Sequence, residues 1–91
     1  MNARIKRKVH KIMDLCFDAK DFGHDCMVSY QGHVTDFSIR VYKDGYEKSG
    51  KKVTFNHSLY LDDQSLLPLD EAEATLDEII GYLEKLIEEG I

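Results

Sequence analysis

Ninety-one residues with one proline, 43% hydrophobic content and no low-complexity tract describe one domain around one core, since two independent cores would each fall near the lower limit for stable folding. No apolar run approaches the roughly 20 residues that span a bilayer, and the basic N-terminus lacks the continuous apolar segment of a secretory signal, so a soluble cytoplasmic protein without a membrane partner is expected. The net charge of −5 divides along the chain: residues 1 to 11 carry +5 through Arg4, Lys6, Arg7, Lys8 and Lys11, while residues 62 to 91 carry −9, a polarity that predicts attraction between the two ends, within one molecule or between two.

From about residue 3 to residue 20, Ile5, Val9, Ile12, Met13 and Cys16 recur at spacings of three and four, which places them on one stripe of a helix with the bases on the remainder. Leu15 and Phe17 flank the stripe and widen it, as a helix lying on a sheet requires. Gly23 then offers the left-handed conformation that closes a last helical turn. Cys26, Val28 and Tyr30 alternate with polar positions in a first strand. Gln31-Gly32-His33-Val34 reads as a tight hairpin, because a type II′ turn asks for glycine at its first central position. A second strand runs from Val34 to about Lys43, with Thr35, Phe37, Ile39 and Val41 on one side and Asp36, Ser38, Arg40 and Tyr42 on the other. After a polar loop, VTFNHSLYL (residues 53 to 61) alternates Val53, Phe55, His57, Leu59 and Leu61 in a third strand.

A slip of one residue would exchange the two faces of a strand, so pairing can be tested by parity. Closing the first hairpin across Gly32-His33 pairs Tyr30 with Thr35, Val28 with Phe37 and Cys26 with Ile39. Placing Val41 opposite Val53 pairs Ile39 with Phe55, Phe37 with His57 and Thr35 with Leu59. Both registers put every apolar pair on one side, and a three-stranded antiparallel meander with the second strand in the centre follows.

In the last third of the chain, Asp70-Glu71-Ala72-Glu73 has the form of a capping box. Ala72, Leu76, Ile79, Ile80, Leu83, Leu86 and Ile87 then make one apolar stripe, closed by Gly90 at the C-cap. Gly81 sits opposite that stripe and costs about 1 kcal/mol relative to alanine, which implies a close neighbour or tolerance at the surface. Two helices needing an apolar surface and a sheet offering one give a two-layer α+β sandwich in the order α-β-β-β-α, with both helices on the same face. That topology resembles the double-stranded-RNA-binding domain and the small RNA-cleaving toxins built on the same scaffold, in which a glycine-adjacent histidine near the first hairpin is catalytic; Gly32-His33 is the echo here. The RNA-binding family presents lysines at the start of its last helix, where this chain has Asp70-Glu71-Ala72-Glu73, so the resemblance implies the fold alone.

Cys16 and Cys26 match neither a disulfide framework nor a zinc module, and reduced thiols are expected. His57 stands in the apolar row of the third strand, opposite Phe37. A buried imidazole must find hydrogen-bond partners, with Thr35, Tyr30 and Cys16 the candidates, whereas a general base at His57 or His33 has no nucleophile or acid at a diagnostic spacing. Asp21, His24, Asp25 and Cys26 lie in one loop, and His10 with Asp14 has helical spacing, but neither set has the ligand count of a zinc site. No phosphate-binding loop, dinucleotide fingerprint or hydrolase elbow occurs. The expectation is a non-catalytic protein without cofactor or metal.

The polar sheet face carries Arg40, Tyr42, Asn56, Ser58 and Tyr60 together with Met27, a mixture enriched in protein interfaces. Protein–protein binding or self-association through this face or an edge strand, as in a homodimer, is therefore the leading reading. The third strand is the favoured edge because it is long and holds no proline, with Lys51 and Lys52 guarding only its beginning. The alternative is nucleic-acid binding through Arg4, Lys6, Arg7, Lys8 and Lys11, against which the acidic last helix argues.

Overall fold

The computed structural model describes residues 3–32, 36–48, 50, 52–61 and 69–90, with Leu69 and Asp70 described by backbone alone. Helix α1 (Ala3–Asp21) leads into strands β1 (Asp25–Gln31), β2 (Asp36–Tyr42) and β3 (Phe55–Tyr60), and helix α2 (Leu69–Glu89) closes the chain. The strands form one antiparallel sheet in the order β1-β2-β3, so the α+β meander with terminal helices is the observed architecture. Both helices contribute to a single core with one sheet face: Ile5, Ile12, Leu15 and Cys16 from α1, Phe37, Ile39 and Val41 from β2, and Leu76, Ile79 and Leu83 from α2. The fully buried side chains among these each stabilise the fold by ~1.5–3 kcal/mol relative to exposure.

Parity in the sheet is as the alternation requires, but both registers differ from the expected ones by two residues. Tyr30 pairs with Phe37, Val28 with Ile39 and Cys26 with Val41; Val41 pairs with Phe55, Ile39 with His57 and Phe37 with Leu59. The first hairpin is therefore not a two-residue turn. Its last pair is Gln31 with Asp36, Gly32 lacks the positive φ of a type II′ turn, and His33, Val34 and Thr35 lie outside the described residues. A shift of two preserves faces because the side-chain period of a strand is two, which is why hydrophobic pattern alone cannot distinguish these registers.

Helix α1 ends two residues before Gly23, which takes φ +86°. Gly23 N–H donates to the Lys20 carbonyl and His24 N–H to the Ala19 carbonyl, both at 3.0 Å, the paired bonds of a Schellman motif. Phe17 does not widen the buried stripe; it is 65% exposed, while Ala19 is fully buried. At the other end of the chain α2 starts at Leu69, one residue before the expected cap, and Glu73 pairs with Arg4 and Lys8 of α1. Gly90 is not a left-handed cap either. Its missing side chain instead makes room for Phe22, whose ring would lie 3.0 Å from a Cβ at that position.

Candidate functional site

The two helices cover one face of the sheet, so the other face presents whatever the alternate residues carry. These fall into three cross-strand rows: Met27–Arg40–Asn56, Ser29–Ser38–Ser58 and Gln31–Asp36–Tyr60. Met27, Arg40, Asn56, Ser58 and Tyr60 are exposed, with Tyr60 at 49%. Ser58 Oγ donates diagonally to Asp36 Oδ1 at 3.4 Å. Four of the five residues nominated from the sequence thus share one open surface. Tyr42 does not join them: it is 3% exposed, pairs with Asp25 at the end of the sheet, and meets Tyr46 edge-on at 5.0 Å.

The loop that covers Tyr42 is held by residues that sequence reasoning treated as candidate metal ligands. Asp44 takes φ +66° and Gly45 φ +99°, which turns the chain back toward the start of β1. There Asp44 N–H donates to Nδ1 of buried His24 at 2.9 Å, and Tyr46 N–H donates to Asp25 Oδ2 at 2.8 Å. Lys20 Nζ donates to the other oxygen of Asp25 at 3.0 Å. The backbone amide of Tyr46, and secondarily Lys20, hold the Asp25 carboxyl below the usual carboxylate range. His24 and Asp25 are occupied in pinning a loop, and among the described residues no three His, Cys, Asp or Glu are grouped to hold a metal ion.

His57 faces α2, but from the seam between sheet and helix and not from the core. Its side chain is 30% exposed, and its Nε2 lies 3.3 Å from Glu78 Oε2. The expected partners Tyr30 and Cys16 are not involved, and Thr35 lies outside the described residues. The ring stands edge-on to Phe55 at 5.0 Å, and Phe55 in turn stacks on Tyr82 with centroids 4.0 Å apart. Burial pushes the Tyr82 phenol up. His33, the other histidine weighed for catalysis, lies outside the described residues.

The five bases in the first half of α1 divide. Arg4 pairs with Glu73 at 3.0 Å, Lys8 with Glu73 at 3.8 Å and also with Asp77, and Lys11 with Glu84 at 3.9 Å. Lys6 and Arg7 are exposed. The opposite charges of the two ends of the chain therefore meet within one molecule, across the α1–α2 contact.

The sequence reading did not bring Cys16 and Cys26 together, and the structure does. Both face inward, one from α1 and one from β1, and both line one surface cleft. The interaction between the two thiols, with burial behind it, raises the Cys16 thiol and draws the Cys26 thiol below its usual value. The signal was present: Cys16 lies on the apolar stripe and Cys26 on the apolar row, joined by a turn that Gly23 makes tight.

Comparison with known proteins adds nothing further. No family model, no curated protein and no solved structure matches this chain.

Proposed function

We propose that this chain is a non-catalytic binding module that engages another polypeptide through the open face of its sheet, and that a second copy of the chain is the occupant whose charges fit. The observation that carries the reading is the arrangement of the three rows. Arg40 and Asp36 stand two residues to either side of Ser38 on the central strand, about 7 Å each way at the usual strand rise. A two-fold axis lying over Ser38 and across the strands sets Arg40 of each copy against Asp36 of the other, the isologous arrangement in which one patch is complementary to itself. Met27 and Tyr60 supply apolar area at opposite corners.

Size decides the class of contact. Three strands about 4.8 Å apart and some 13 Å between the outer rows span roughly 200 Å², far below the ~800 Å² per partner of a standard interface. The association is therefore weak and transient unless edge strands add to it. Strand β3 spans only Phe55–Tyr60 and is no longer than its neighbours, so length does not favour it as the docking edge. Lys52 is exposed beside it, while Lys51 lies outside the described residues.

Sedimentation of the protein up to millimolar concentration at low salt tests this. Concentration-dependent dimer is expected for the wild type, loss of it for Arg40→Glu, and recovery when Asp36→Arg is added to Arg40→Glu. A chain that stays monomeric throughout, or a dimer indifferent to Arg40→Glu, overturns the self-association reading.

Nucleic-acid binding through α1 draws less support, because Arg4, Lys8 and Lys11 are engaged with acids of α2 and a phosphate backbone would have to displace them. Duplex that shifts in a gel at about 50 mM salt and is released as salt rises would favour that reading over the sheet face.

A further inference from the structure

We propose that Cys16 and Cys26 are a redox-active dithiol, a modification site that small-molecule disulfides oxidise to an intramolecular bond stapling α1 to β1. Cys16 on α1 and Cys26 on β1 belong to elements that pack together. They open together into a surface cleft of about 350 Å³ whose walls include Met13, Phe17, Lys20 and Asp25. Cys16 is buried at the floor and Cys26 is partly exposed, so a reagent entering from solvent meets Cys26 first.

That difference in exposure assigns the roles. The interaction between the two thiols acts in the same direction, drawing Cys26 below its usual value and raising Cys16. Asp25 and the phenol of Tyr82 also face Cys26, and the ammonium of Lys20 stands over Asp25. In the first step the Cys26 thiolate attacks one sulfur of an external disulfide, forming a mixed disulfide and expelling one thiolate. In the second, Cys16 loses its proton to solvent and attacks the Cys26 sulfur, expelling the other half of the reagent as a thiolate. Two protein thiols are oxidised, the external disulfide is reduced to two thiols, and the protons end on those thiols.

Closing residues 16 to 26 into a ring removes freedom from the unfolded chain. A melting temperature higher by on the order of 10 °C is expected for the oxidised protein.

The test equilibrates the folded full-length chain with oxidised and reduced glutathione, followed by intact mass and non-reducing peptide mapping. The expected result is a species lighter by two hydrogens with Cys16 linked to Cys26, melting higher than the reduced chain and reverting with a reducing agent. Cys16→Ser should accumulate a glutathione adduct at Cys26 that the wild type resolves. Cys26→Ser should leave Cys16 unmodified while the protein is folded, and serves on its own if the first variant does not fold. A stable glutathione adduct on the wild-type chain, a disulfide between two chains, or two thiols that stay free under oxidising conditions overturns the proposal. None of these outcomes depends on whether the sheet face binds a second copy.

Discussion

Asp25 illustrates how a loop side chain is given a task by residues far from it in sequence. Its carboxylate accepts from Tyr46 N–H and from Lys20, and with His24 it keeps the segment after β2 folded over Tyr42. The folded carboxyl titrates below its ordinary value near 3.8. A depressed folded pKa contributes stability that is fully present above the unfolded value and is lost as pH falls through the folded one. Wild-type protein should therefore lose more of its urea midpoint between about pH 5 and about pH 3 than Asp25→Asn does; parallel curves for the two proteins would show that the pin contributes nothing. The same residues mark what alternation could not reveal. Alternation assigns a side chain to a face, but exposure on that face depends on what lies above it. Tyr42 has the parity of the open face and is buried by the returning loop, and His57 has the parity of the core but sits at its margin, beside Glu78 of α2.

At the level of elements, helices were legible in their extent and strands in their parity. Helical stripes are redundant, since seven apolar positions of α2 agree on one face, and one error cannot rotate them. A hairpin register, by contrast, rests on the geometry of a few turn residues, and a step of two satisfies the same pattern. Helix ends were legible where local hydrogen bonding decided them, as at Gly23, and not where tertiary contact did, as at Gly90. Gly81 resolves in favour of tolerance. It is exposed, and a Cβ placed there meets nothing within 4 Å. Gly81→Ala should stabilise the protein by about 0.5–1 kcal/mol through helix propensity and a less flexible unfolded chain, readable as a higher urea midpoint with unchanged slope. A loss of stability would mean that the helix needs the glycine for a contact made outside this chain.

Across the whole molecule, the division of charge turns out to be an internal lock between α1 and α2. Glu73 is its most enclosed member, 19% exposed and facing both Arg4 and Lys8. Exposed pairs each contribute only ~0.2–1 kcal/mol, so Glu73→Lys should cost on the order of 1 kcal/mol at low salt, Arg4→Glu in the same chain should recover part of it, and the coupling should shrink near 1 M salt, where the screening length is about 3 Å. A double-mutant cycle measured at both salt concentrations reads this directly; a coupling that is zero at low salt would leave the two helices held by their apolar seam alone. The order of elements, the face each side chain serves and the opposite charges of the ends were properties of the sequence by itself, because periodicity and composition are local and repeat often enough to overrule any single exception. Which residues pair across the sheet, that the charges join within one molecule, that two cysteines ten positions apart share one cleft, and that one face of the sheet stays open were decided only by the tertiary structure, since each depends on the distance between side chains carried by different elements, and no local pattern encodes that distance.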